Sequence, residues 1–260
     1  MSHRDSLIKT NKELAKPMDL MNVGFVGVVS GGGDPGALEL SDSDLVSYTK
    51  FNDNFLDTKG SNNGTLTGGS GGFVTGKIGK AYNFTGSSYV SLANESNFDF
   101  ERDDPFSISL WVRPSSTSAT TILAKGTTHF TSTGIYLSNV NIGGGQVRFR
   151  FQINAGGSNY EVWTSANSLA NTTYYLTCTY DGNSNKDGLK IYRNGSLDTT
   201  GASNPITASL LNNEQFAIGA TSTGGTDFSG WVDELSVWSK SLTADNVSWL
   251  YNSGSGNELV

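Results

Sequence analysis

Residues 230–251 read GWVDELSVWSKSLTADNVSWLY. The first nine alternate apolar and polar side chains, the period of two that belongs to a strand. The remainder places Val247, Leu250 and Tyr251 on one stripe at helical spacing, with Thr243 in position to cap it and Asp245 and Asn246 in the first turn. Asn252 and Gly254 end it. The stretch therefore predicts a strand running almost directly into a short helix. Inside the strand half stand two adjacent carboxylates, Asp233 and Glu234. Neighbours on a regular strand point to opposite faces, so this pair is expected to split across the sheet.

The same alternation recurs upstream. PFSISLWVRP (105–114) puts Phe106, Ile108, Leu110 and Val112 on one face. VRFRFQI (147–153) sets Val147, Phe149, Phe151 and Ile153 against Arg148, Arg150 and Gln152. TYYLTCTY (173–180) groups Tyr174, Leu176, Cys178 and Tyr180. LVSYTKF (45–51), residues 80–84 and 89–92, and EQFAIGA (214–220) add further strands, and Asn194-Gly195 marks a tight hairpin turn. About a dozen strands, each with one dry face, predict an all-β chain: an antiparallel β-sandwich of two packed sheets, of jelly-roll type, with an N-terminal extended arm and a short C-terminal helix.

Composition agrees. Of 260 residues, 32 are Gly and only 5 Pro; charged residues make up 16% and aromatic ones 11%. Aromatic side chains suit a pleated surface, and Gly supplies the turns. The net charge of −7 argues against a nucleic-acid partner, which requires clustered Lys and Arg. The single cysteine, Cys178, lies on an apolar parity and reads as a small buried hydrophobe. No run approaches the ~20 apolar residues of a membrane span. The opening residues, interrupted by Asp5, Glu13 and Asp19, lack the pattern of a secretory signal.

Residues 1–40 differ from the rest: a mixed-charge segment stopped by Pro17, an apolar run over 22–29, then the Gly-rich joint SGGGDPG. They read as an arm, with residues 41–260 as the domain. An apolar extended arm is suited to docking on the sheet edge of a neighbouring protein.

Five segments carry a family resemblance: LVSYTKF…DTKGSNNGTLTGG (45–69), GKAYNFTGSSYVSL (79–92), PFSISLWVRP (105–114), YYLTCTYDG…LKIYRNGSL (174–197) and GWVDELSVWSKSLTADNVSWLYN (230–252). In this order the chain resembles the laminin-G-like jelly rolls of the concanavalin A-like lectin/glucanase superfamily. The resemblance implies a structural Ca²⁺, with Asp57 of the D-x-x-G loop and Asp233 as ligands. The family's Phe-Asp-Glu is here Phe51-Asn52-Asp53, one formal charge short. The loop DGNSNKD (181–187) imitates the start of an EF-hand, but Lys186 stands where Gly is required, and it reads as a hairpin loop.

No pattern of alternating acids on one strand face, as glycosidases require, is present, and no nucleophile motif accompanies His129, which sits in the Gly/Thr-rich loop KGTTHFTSTG as a surface residue. The chain is therefore expected not to be an enzyme. On the polar parity of the strands, Trp111, Arg148, Arg150 and Tyr175 are candidates for binding carbohydrate, because aromatic faces stack on sugar rings and Arg forks grip acceptor oxygens. With the arm, this leads to a non-catalytic, multi-copy or homo-oligomeric protein on a larger assembly. A phage virion decoration or fibre protein exposed at the virion surface is the expected form, with its jelly roll contacting glycans. The alternative is a carbohydrate-binding or adhesion module of a secreted or cell-surface protein.

Overall fold

A computed structural model describes residues 34 and 36–260 of the chain. Sixteen strands follow in order: β1 (Leu45–Thr49), β2 (Gly64–Gly68), β3 (Gly72–Thr75), β4 (Lys80–Thr85), β5 (Ser88–Leu92), β6 (Phe106–Pro114), β7 (Thr120–Lys125) and β8 (Gly134–Gly143). Then come β9 (Gln146–Ala155), β10 (Ser158–Trp163), β11 (Ser168–Leu169), β12 (Tyr174–Tyr180), β13 (Lys190–Arg193), β14 (Ser196–Thr200), β15 (Phe216–Ile218) and β16 (Ser229–Trp238), before the helix α1 (Ala244–Tyr251). They form two antiparallel sheets of eight strands. Sheet A runs β14-β13-β12-β6-β16-β4-β3, with β1 also on β16; sheet B runs β10-β9-β8-β7-β15-β5-β2, with β11 on β9.

The dry faces of the alternating strands meet in one core. Phe106, Leu110, Phe149, Phe151, Leu176, Cys178 and Val237 are all buried there. Phe106 meets Phe151 edge-on across the two sheets, at 6.1 Å between ring centroids. Burial also pushes the Cys178 thiol well above its usual range, which suits an inert packing group. Asn194 and Gly195, at φ 53° and 79°, make the two-residue turn between β13 and β14 whose twist matches the flanking strands. The loop 181–187 connects two paired strands, β12 and β13.

More strands are present than the alternation announced. Exposed β2 and β3 are short, Gly- and Thr-rich edges with little apolar signature. A larger departure lies on the outer face of sheet A, which is dry. Every residue of β12 is buried. A second apolar layer explains it: Leu38, Tyr48, Trp111, Tyr175, Tyr192, Trp231, Trp238, Val247, Leu250 and Leu259 pack together on that face. Helix α1 covers this outer face through Val247 and Leu250. The Thr243 side chain accepts from Asn246 N, Asn246 reaches back to Thr243 N, and Asn252 closes the helix in the left-handed region.

β16 carries a bulge. β6 pairs with one of its edges along its length. On the other edge, β4 pairs with residues 229–232 and β1 with 235–238. Asp233 and Glu234 fall in the gap between those partners, with Glu234 at φ 51°. The extra residue keeps Leu235 and Val237 in the core and places both carboxyls toward the outer layer. The expected split of this pair across the sheet does not occur.

Residues 36–40, read from sequence as the end of the arm, lie on the domain: Leu38 joins the outer layer, and Leu40 N donates to Val260 O at 3.1 Å. The remainder of the proposed arm, residues 1–33 and 35, is outside the described residues.

Phe149→Ala in the main core and Trp238→Ala in the outer layer are each expected to cost about 3–5 kcal/mol. Urea denaturation checks this as a lower midpoint with an unchanged slope.

Candidate functional site

With one sheet roofed, the outer face of sheet B is where polar parity meets solvent. Four strands align one residue each along a row: Trp163 opposite Arg150, Arg150 opposite Ser138, and Ser138 opposite Thr121. Directly opposed residues on one face stand about 5 Å apart, so the row is a continuous strip of side chains. A parallel bridge between Thr121 and Asp227 extends it to Thr226.

The loop between β7 and β8 folds back over this strip. It leaves at Gly126, where a Cβ would overlap the Tyr136 hydroxyl. That hydroxyl lies 3.1 Å from Thr128 O and 3.2 Å from Ser132 O, and Asn154 Nδ2 donates to Ser132 O at 3.1 Å. The loop is thus pinned to β8 and β9. The His129 ring packs on Tyr136 in a tilted arrangement, at 4.5 Å between ring centroids. Phe130 follows in the left-handed region, at φ 71°, a conformation costing on the order of 1–3 kcal/mol for such a residue and concentrated at functional sites. Its ring is 46% exposed and lies over Arg150.

Arg150 is the centre of the arrangement and is 7% exposed. Its guanidinium carbon lies 4.6 Å from the Phe130 ring and 5.6 Å from Trp163, aromatic faces on which a cation is attracted. Nε donates to Ser138 Oγ at 3.2 Å, and Nη2 donates to His129 Nδ1 at 3.2 Å. Since Arg is donor-only, His129 Nδ1 must accept; the proton then sits on Nε2 and is directed to Thr121 Oγ1 at 2.7 Å. Thr121 Oγ1 in turn lies 2.5 Å from Thr226 Oγ1, whose own proton goes to Gly225 O at 2.7 Å. Burial and then the Arg150 charge hold His129 down at about 4, so the ring is neutral and can accept. The Glu161 carboxylate stands behind, 3.7 Å from Arg150 Nη1.

Above the strip is a cavity of about 430 Å³, with Ala119, Phe130, Val140 and Trp163 as its apolar walls and Arg150, Ser138 and Thr121 beneath. A second cavity of about 480 Å³ adjoins it and shares His129 and Thr226, with Thr127, Thr128, Thr221 and Thr223 around it. Such volumes suit small ligands.

Of the residues nominated from sequence, Arg150 lies in the cavity. Arg148 shares its face of β9, but its Nε is held by Asn167 Oδ1 at 3.3 Å and it does not line the cavity. Trp111 and Tyr175 do not present open aromatic faces. Each is 3% exposed, and they pack on one another at 4.8 Å beneath Tyr251 and the C-terminal tail. Parity placed them on the outer side of sheet A but could not reveal the roof. His129, read as a surface loop residue, is built into the site. Phe130 and Trp163 escaped notice; the signal for Trp163 was its alternation with Tyr160 and Val162 toward the core.

Asp57 accepts from Tyr48 N, Lys59 N and Asn62 N at 2.9, 3.1 and 3.0 Å. Asp233 Oδ2 accepts from Lys77 N and Ile78 N at 2.7 and 3.0 Å. Asp57 bridges to Thr49, and Thr49 pairs with Leu235, so two strand spacings, roughly 10 Å of backbone, separate Asp57 from β16. Among the described residues, no three His, Cys, Asp or Glu side chains gather to hold a metal ion. As placed, Asp57 and Asp233 do not fit a shared calcium ion; they cap the backbone of two different loops.

A family model described as the concanavalin A-like lectin/glucanases superfamily, of laminin-G type, matches residues 84–248. No curated protein matches the chain in sequence. Among solved structures, domain 4 of an extracellular arabinanase from Geobacillus stearothermophilus, in complex with arabinotriose, is 24% identical with a TM-score of 0.59, covering 79% of this chain and 97% of that one. The binding domain of Paraclostridial Mosquitocidal Protein 1 is 18% identical with a TM-score of 0.63, covering 81% of this chain and 52% of that one. The receptor binding domain of botulinum neurotoxin D is 16% identical with a TM-score of 0.58, covering 81% of this chain and 53% of that one. The chain thus spans about half the length of the toxin domains it matches. These likenesses establish the shared fold.

The His129 arrangement predicts a pH dependence. Its folded value, about 4, lies below its ordinary 6.5, so on acidification the unfolded chain takes up the proton first. The stability linked to His129 is complete above pH 6.5 and is lost as pH falls toward 4, by up to about 3 kcal/mol. Urea titrations at pH 7, 5.5 and 4 should show this loss, and His129→Gln should flatten it.

Proposed function

Because the chain belongs to the concanavalin A-like lectin/glucanases superfamily, we propose that it is a non-catalytic carbohydrate-binding module. Its site is the cavity over Arg150 on the outer face of sheet B. One observation carries this reading: on the open face, Trp163 and Phe130 stand beside a guanidinium that their rings and the His129 network hold in place. Aromatic faces pack against the C–H faces of sugars, and a fixed Arg supplies donors to their oxygens. The fold shared with an arabinanase domain that is complexed with arabinotriose supports the same reading, since nearly the whole of that domain aligns.

The likeness to a domain of an extracellular arabinanase favours a secreted or cell-surface setting. The alternative of a subunit docked on a virion through residues 1–40 rests on segments that lie mostly outside the described residues, and the relatives lend it no support. Catalysis has no assigned role here: the adjacent acids of β16 are buried under the outer layer, away from the open face.

A glycan array followed by calorimetry on the best ligand tests the proposal. Trp163→Ala should weaken binding about tenfold, the loss of roughly one aromatic stacking contact. Trp111→Ala and Tyr175→Ala should lower the melting temperature yet leave affinity within about twofold, since both lie outside the cavity. A blank array, or affinity that depends on Trp111 and not on Trp163, overturns the assignment.

A further inference from the structure

The polar atoms around the first cavity are mostly committed to one another. His129 uses both ring nitrogens, and the Thr121 and Thr226 hydroxyl protons run on to Gly225 O. Asn139 donates to Ser118 O and is itself bonded by Thr120. Arg150 is the exception. A guanidinium carries five N–H donors, and Arg150 directs only Nε and Nη2 to protein acceptors. Its Nη1 lies 3.7 Å from Glu161 Oε2, beyond hydrogen-bond reach. The site therefore offers donors and asks the ligand for an acceptor.

Two further features narrow that acceptor. Ala119, Phe130, Val140 and Trp163 present hydrocarbon, so the group beside the acceptor is apolar. Glu161 does not line the cavity but sits close behind the guanidinium, so the charge the cavity faces is largely balanced. A neutral carbonyl oxygen suits such a site better than a carboxylate, which would meet both Arg150 and Glu161. The second cavity has another character. Among the described residues, the hydroxyls of Thr128 and Thr223 there make no hydrogen bond to protein, while the amides and carbonyls of Gly224 and Gly225 are bonded within their own turn.

We propose that the first cavity receives the acetamido group of an N-acylated amino sugar, its carbonyl on Arg150 and its methyl against Val140 and Phe130. The neighbouring ring of the same oligosaccharide lies in the Thr-lined second cavity. The assignment rests on the carbohydrate-binding reading and adds a substrate class to it. Specificity follows from the chemistry: a hydroxyl in place of the acetamido group ends short of the position the carbonyl oxygen takes on Arg150, is a weaker acceptor, and lacks the methyl that meets Val140 and Phe130.

Calorimetric titration of the full chain with three disaccharides tests this: N,N′-diacetylchitobiose, cellobiose and a glucuronic-acid-containing disaccharide. Diacetylchitobiose should bind, and the other two should bind at least about tenfold more weakly, the worth of one hydrogen bond to a charged group. Ala119→Phe, on an exposed loop at the rim, should abolish binding with no change in melting temperature; Arg150→Met should also abolish binding, but with a lower melting temperature, because Arg150 is buried and bonds Ser138 and His129. Equal binding of cellobiose, or tighter binding of the uronate, overturns the acetamido assignment and leaves the carbohydrate-binding reading standing. Failure of every disaccharide, together with a blank array, overturns both.

Discussion

One edge of β16 is shared between two partners, and much of sheet A follows from that. β4 takes its first half and β1 its second, while β6 holds the opposite edge. Without the extra residue at 233–234, the second half would present Trp238 to the core and Val237 to the outer layer, because a one-residue slip reverses every face. The bulge sets a non-glycine residue, Glu234, in the left-handed region, at a cost of about 1–2 kcal/mol. The surroundings hold it there: Asp233 caps the amides of Lys77 and Ile78, and the Tyr48 hydroxyl of β1 donates to Glu234. Burial raises both acids, Asp233 to about 7 and Glu234 to about 9. The protonated form avoids most of the cost of two adjacent charges out of water.

With the bulge in place, Trp231 and Trp238 face outward and make a floor on which α1 and the last residues settle. The two outer faces of the sandwich thereby become unlike. One is covered by a second apolar layer. The other keeps its polar strip, on which a strained loop erects an aromatic wall beside a buried arginine. The second apolar layer and the proposed ligand cavity thus lie on opposite sides of the sandwich.

The sandwich was readable because alternation is local: Phe149, Phe151 and Leu176 announce their core direction by their neighbours alone. The Asn194-Gly195 turn and the Thr243 cap were readable for the same reason. Trp111 and Tyr175 mark where such reading stops. Alternation tells which side of a sheet a residue takes, and whether something covers that side depends on residues far along the chain, such as Val247 and Leu259. The β16 bulge was hidden likewise, since register belongs to a pair of strands. Arg150 was visible as an arginine on polar parity, but its setting required Trp163, Ser138 and Thr121 to be brought into one row by three separate pairings. His129 and Phe130 depend on the path of a loop anchored by a tyrosine hydroxyl, which no residue pattern announces.

Leu38 and Leu259 are both embedded in the covered side, where Leu40 and Val260 are joined by a backbone hydrogen bond. The polypeptide consequently enters and leaves the sandwich at its back. A tether fused after Val260, whether a bead, a surface or another polypeptide, starts from the covered side and holds the arginine-bearing front turned away from the point of attachment.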